Sequence, residues 1–247
     1  MNNLQDALRD IVQHIIGLGT IELIKVTGTA TETVIGAKST GQSMIVVNGK
    51  FKNPITEFVG EFGMPNLGKL AVILGIEEYK EDAQISVTSR TINGVEEIDG
   101  IHFENKVGDF SNDYRFMSAS IVNAKVEMPR FKGVKWDVSI VPTVLAIQRL
   151  KFQASANSEE ITFIAKVENG DLNFYFGNTT SHAGNFVFQQ GVTGTLNKAW
   201  SWPVTTIIGI LNLPGDKTMH FSDAGAAMIT IDSGICVYNY IIPALTK

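Results

Sequence analysis

The chain has 247 residues, 44% of them hydrophobic, and a formal net charge of −5, which suits one large or two ordinary domains with substantial cores. No apolar run approaches the roughly 18 residues needed to cross a bilayer, and the opening "MNNLQDALRDIVQHI" lacks the form of a signal peptide. A single cysteine, Cys236, excludes an internal disulfide and a cysteine-based zinc site, and the acidic balance excludes a coat of positive charge but not a local basic patch. These features together read as a soluble, cytoplasmic protein.

Along the chain, Leu4, Ala7, Leu8, Ile11 and Ile15 fall at helical spacing. Short strands follow: "IELIKVT", "ETVIGAKS", "SMIVVNG" and "ITEFVGEF". "FGMPNLGKLAVILG" (62 to 75) then takes an aromatic strand end through Pro65 into an apolar helix of about three turns, weakened by Gly68 by about 1 kcal/mol relative to alanine. "AQISVTS", "VEEIDGIHF" and "YRFMSASIV" (114 to 122) complete the first half as strands. The charged stretch 123–135, with Pro129 and Gly133, reads as a connector.

The second half says the same again. "WSWPVTTIIGILNL" (200 to 213) lies on 62–75 at an offset of 138, with Phe62 on Trp200, Pro65 on Pro203 and Ile73 on Leu211. Shifted by 139, the first helix falls on Thr143, Ala146, Ile147, Leu150 and Ala154. Around these helices "KWDVSIV", "EITFIAKV", "LNFYFGN", "NFVFQQGV", "KAWSW", "TMHFS", "AAMITI" and "GICVYNYII" read as strands, with "VENGDL" as a hairpin turn. Each half therefore holds about eight strands and two helices. That is an α+β chain of two similar domains with antiparallel sheets, divided as 1–122, a connector 123–135, and 136–247.

The chemical motifs dissolve on inspection. "GILNLPGDKT" (209 to 218) has five residues between its glycines and Asp216 before Lys217, so it fails as a phosphate-binding loop. It is better read as a helix stop, with a strand from Thr218. "ITIDSGI" has the form found around the catalytic aspartate of aspartic proteases, but that chemistry needs a second carboxylate sharing the proton. The repeat offers none at the matching position. His14, His102, His182 and His220 lack metal-ligand spacing, so no catalytic residue, metal or cofactor is assigned.

An internally duplicated α+β chain with two helices per half resembles the DNA sliding clamps, the ring-shaped processivity factors of replicative polymerases, of the T4-like phage and proliferating cell nuclear antigen type. The resemblance lies in element order, in the two aromatic-strand-to-helix segments, and in the ending "AAMITIDSGICVYNYIIPAL". It implies the DNA clamp fold, a homotrimer closed head to tail, and no enzymatic activity. It implies helices that meet double-stranded DNA through Arg9, Lys69, Arg149, Lys151 and Lys217, without reading bases, Arg9 being diluted by Asp6 and Asp10. Polymerase and clamp loader would dock against Tyr240, Ile241, Ile242 and Pro243, with Val126 and Met128 of the connector. The joining edges would be 114–122 and 185–192, with Tyr114, Phe116 and Ser118 on one chain and Phe186 and Phe188 on the next. Competing readings are a β-rich phage virion or assembly protein and, more remotely, a dimeric aspartic protease using Asp232.

Overall fold

A computed structural model describes residues 3–19, 21–39, 44–92, 94–126, 133–178 and 182–245. The chain divides into two compact units: Met1–Ser39, Val46–Pro129 and Ser233–Tyr238 form the first, and Thr40–Ile45, Arg130–Asp232 and Asn239–Lys247 the second.

The first unit opens with helix α1 (Asn3–Ile16), whose apolar face is wholly used: Leu4, Ala7, Leu8, Ile11 and Ile15 are all buried. Strands β1 (Leu23–Gly28), β2 (Thr33–Lys38), β3 (Val46–Phe51) and β4 (Gly60–Pro65) follow. They pair antiparallel in the order β4-β1-β2-β3. In β1 and β2 alternate residues are buried, as a sheet packed on one face requires. Helix α2 (Leu67–Leu74) packs against α1. A second sheet joins β5 (Gln84–Ile92), β6 (Val95–Glu104) and β7 (Ser111–Arg115) in that order.

The second unit repeats the plan. After β9 (Val138–Ile140) come helix α4 (Val144–Ala156), strands β10 (Thr162–Glu168), β11 (Asp171–Phe176), β12 (Gly184–Gln189) and β13 (Ser201–Pro203), and helix α5 (Val204–Leu211). Their order is β13-β10-β11-β12, the same as β4-β1-β2-β3. The bounds of β2 and β11, and of β3 and β12, differ by the 138 residues read from the sequence. β14 (Asp216–Ser222), β15 (Ala226–Asp232) and β16 (Cys236–Pro243) are the counterparts of β5, β6 and β7, with β9 added beside β14. Phe163, Phe174, Phe176, Trp202 and Phe221 fill this core. The architecture is thus the duplicated α+β plan with antiparallel sheets expected from the sequence.

Several local readings change. The run 114–122 is not one strand: β7 ends at Arg115, β8 (Met117–Ser118) pairs with β4, and helix α3 (Ala119–Lys125) follows. At this break Phe62 stacks on Phe116 with ring centroids 4.3 Å apart. "ITEFVGEF" forms a strand only from Gly60. The prolines stand before the helices rather than in their first turns. Pro65 closes β4 and the left-handed Asn66 caps α2, while Pro203 itself caps α5. Each of these helices has 8 residues, about two turns rather than three. "LPGDKT" does end a helix, with Gly215 at φ +104, although β14 begins at Asp216.

Candidate functional site

The five cations expected to meet DNA occupy different surroundings. In the first unit Arg9 and Lys69 are exposed on α1 and α2. Asp10 beside Arg9 turns its carboxylate inward, where it is buried. There it accepts hydrogen bonds from Tyr238 Oη at 2.7 Å and Ser233 Oγ at 3.0 Å, and His14 stacks on the Tyr238 ring at 4.5 Å. In the second unit Lys151 is exposed on α4. Arg149 is held: Nη1 donates to the Val187 carbonyl at 3.2 Å, and the guanidinium lies 5.4 Å from the Phe186 ring centre. Lys217 is half-buried, Nζ donates to the Gly215 carbonyl at 2.8 Å, and burial pushes its pKa down against the opposing effect of Asp216. α4 carries no acidic residue, so its only charges are the cations Arg149 and Lys151.

Of the residues expected to hold a partner, Tyr240 and Ile242 are core side chains, Ile241 is half-buried and Pro243 exposed. Val126 is buried at the end of α3, and Met128 lies outside the described residues. Strand β16 alternates buried and half-buried positions, so only every other residue of this segment can offer a side chain outward.

The strands expected to join chains are edges: β7 borders β5-β6-β7, and β12 borders β12-β11-β10-β13. Their backbone polarity is fixed by local geometry. Asn169 and Gly170 have φ of 54° and 80°, a two-residue hairpin that makes Glu168 and Asp171 a hydrogen-bonded pair. Antiparallel strands alternate such pairs. Asp171, Asn173 and Tyr175 therefore face β10, and Leu172, Phe174 and Phe176 face β12. Through the register Phe174 to Phe186 and Phe176 to Gly184, the N–H and C=O groups of Asn185 and Val187 point out to the open edge. In β7, the Asn105 N–H donates to the Phe110 carbonyl and the Phe116 N–H to Asp99, so Ser111, Asp113 and Arg115 are the outward residues.

Tyr114, Phe186 and Phe188 are thus buried side chains whose strands, not their rings, form the edges, while Phe116 and Ser118 are half-buried. Sequence reasoning missed the outward set, although "ENGD" at the hairpin carried the signal that sets it.

The two copies of this edge differ. Beside β3 lies Cys236–Tyr238, the first part of β16, which belongs to the first unit; the Lys52 N–H donates to Ile235 there at 2.9 Å. β12, the repeat counterpart of β3, has no such neighbour among the described residues.

Asp232 stands opposite Asp216 in the β14–β15 register, so a second carboxylate lies in the same chain rather than in a partner. Asp216 is exposed and Asp232 half-exposed. That wet setting is unlike the desolvated pair that shares one proton in aspartic proteases. Among the described residues no group of three or more His, Cys, Asp and Glu side chains could hold a metal. Among the described residues no helix is long and apolar enough to cross a membrane.

No protein-family model matches this sequence, and no curated protein resembles it significantly in sequence. Solved structures do share its fold. A. fulgidus PCNA, solved bound to the C-terminal region of FEN-1, superposes with a TM-score of 0.66 over 98% of this chain and 96% of its own, at 12% identity. PCNA from Thermococcus kodakaraensis gives 0.63 over 96% and 97%, also at 12% identity. A putative DNA polymerase III beta subunit from Eubacterium rectale gives 0.62 at 13% identity, with 98% of this chain covering 64% of that one.

Proposed function

We propose that this chain is a DNA sliding clamp, a ring of three copies that encircles duplex DNA and tethers the replicative polymerase, with no catalytic step of its own. The observation that carries the reading is the unequal treatment of one repeated edge. β3 is covered by the start of β16, whereas its counterpart β12 is open, and β7, the counterpart of β16, is open as well. The pairing already made between β3 and β16 is available between β12 of one copy and β7 of the next. Long open edges are avoided in natural sheets, and a head-to-tail contact that closes on itself removes both of these from every copy. With two repeats per chain, a closed ring of six repeats takes three chains. The likeness to PCNA supports the same count.

α4 supplies apolar support at the junction. Leu145 and Phe152, seven residues apart on one stripe, are 63% and 70% exposed, and they share the side of the helix from which Arg149 and Gln153 reach β12. A strand laid on β12 would cover them.

In this reading the helices face the DNA, with Arg9, Lys69, Lys151 and Lys217 as phosphate contacts that neither read sequence nor hold position. Topology, not affinity, keeps the ring in place. Polymerase and clamp loader dock with a short apolar peptide at Ile241 and Pro243, respectively the half-buried and exposed members of the C-terminal segment. The chain divides functionally at 123–135, and the protein acts in the cytoplasm, that of the host if the source is a phage.

The test is sedimentation followed by loading. A particle of three chains at micromolar concentration, retained on nicked circular DNA and lost when that DNA is linearised, is expected. A monomer or dimer at that concentration overturns the ring. A trimer that never becomes linked to circular DNA, with or without a loader, points instead to a structural assembly protein.

A further inference from the structure

The open edge of β12 is not bare. Its outward acceptors are the carbonyls of Asn185 and Val187, and each receives a side chain of α4. Arg149 Nη1 donates to Val187 at 3.2 Å and Gln153 Nε2 to Asn185 at 3.5 Å. The two donors are one helical turn apart, and the two carbonyls are two residues apart on the same side of the strand, so the helix pitch matches the strand spacing. The fit depends on Gly184. Gln153 and Asn157 sit over its α-carbon, and a Cβ there would collide with Gln153 Oε1. The Phe186 ring beneath Arg149 holds the guanidinium in place.

We infer that Arg149 and Gln153 are a guard over the chain-to-chain edge: they occupy the acceptors of β12 in the free chain and are displaced when a strand of a second copy pairs there. The inference rests on the reading of β12 as a joining edge. It reassigns Arg149 from the DNA to the interface.

The repeat supports this assignment. Asp10, which matches Arg149 at the 139-residue offset, sends its carboxylate to Ser233 and Tyr238 at the start of the strand that covers β3, not to β3 itself. Position 10 in the covered copy thus serves the covering strand, and position 149 in the open copy serves the uncovered edge. An unguarded edge invites any extended chain. A guard of two neutralising donors raises the threshold so that only a strand with apolar cover for Leu145 and Phe152 gains enough to replace it.

The probe is a fluorescein-labelled peptide of this chain's own residues 109–117, which contains β7, titrated by anisotropy against the full-length protein held below its assembly concentration. Arg149→Ala with Gln153→Ala should bind it about three- to tenfold more tightly than wild type. The double variant should also self-associate at a correspondingly lower concentration, with the salt dependence of DNA binding unchanged. Arg149→Lys, which keeps a donor, should stay near wild type. Equal or weaker peptide binding by the double variant overturns the guard, as does a reduced salt dependence that marks Arg149 as a phosphate contact. If no protein binds the peptide and wild type never assembles, the joining-edge reading fails first, and the guard with it.

Discussion

Helices α1 and α4 occupy the same place in the two repeats and are stabilised differently. α1 buries its whole apolar face, and Asp10 and His14 are drawn into a polar cluster with Ser233 and Tyr238. α4 buries Ala146 and Leu150, leaves Leu145 and Phe152 in water, and spends Arg149 and Gln153 on the edge of β12. The backbone plan was duplicated while the side chains were divided between two tasks. One copy closes an edge within its own chain, and in the other that edge ends its sheet among the described residues.

The sharpest way to break this comparison is truncation at matched positions. Leu8 is fully buried in α1, and its partner at the repeat offset, Ile147 in α4, is half-buried. Leu8→Ala should destabilise the first unit by about 3 kcal/mol, through lost transfer energy and a cavity that the packed helix cannot close. Ile147→Ala should cost about 1 kcal/mol. Equal losses in denaturant unfolding would mean that the two helices are held alike.

A smaller effect tests the polar half of the contrast. Removing the Asp10 carboxylate takes away the acceptor of the buried Tyr238 hydroxyl, while Ser233 Oγ keeps the Cys236 carbonyl at 3.1 Å, so Asp10→Ala should cost about 2 kcal/mol. At the matched position, Arg149→Ala loses a hydrogen bond on an exposed side chain and should change the free chain's stability by no more than about 0.5 kcal/mol. Thermal unfolding of dilute protein, below any self-association, checks both. A costly Arg149→Ala would make that residue part of the fold rather than a guard.

The repeat itself was legible in the sequence because it rests on local signals. An aromatic strand end, a proline and an apolar helix recur at one offset, and "ENGD" marks a tight hairpin. The fold class followed from that. What stayed hidden depends on contacts distant in sequence. Asp10 reads as one more acid beside Arg9 until Tyr238, 228 residues away, turns it inward. Arg149 reads as a solvent-facing cation until β12 is placed beneath it. The break of 114–122 into strand and helix was hidden for the same reason: its residues favour β structure, but Met117–Ser118 pair with the distant β4 instead of continuing β7. For the proposed joining edges the sequence named Tyr114, Phe186 and Phe188, whose side chains are buried, since burial selects aromatics while backbone pairing at an edge selects their neighbours.

The weakest lever separates the units by pH. In the second unit His220 is half-buried on β14, with Nδ1 2.8 Å from Ser139 Oγ, Nε2 3.2 Å from Thr218 Oγ1, and the Trp136 ring 5.6 Å away. None of these neighbours is a carboxylate that could stabilise an imidazolium, and burial lowers the His220 pKa below its usual value of 6.5. The folded chain therefore refuses a proton that the unfolded chain accepts. Stability from the neutral ring is complete above about pH 6.5 and drains as pH falls toward the folded value. Trp136, Trp200 and Trp202 are the chain's three tryptophans and all lie in the second unit, so their fluorescence follows that unit alone. The unfolding midpoint seen by tryptophan should fall between pH 7.5 and 5.5, and His220→Gln should flatten the slope. A slope unchanged by that substitution would place the titrating group elsewhere and remove this distinction between the copies.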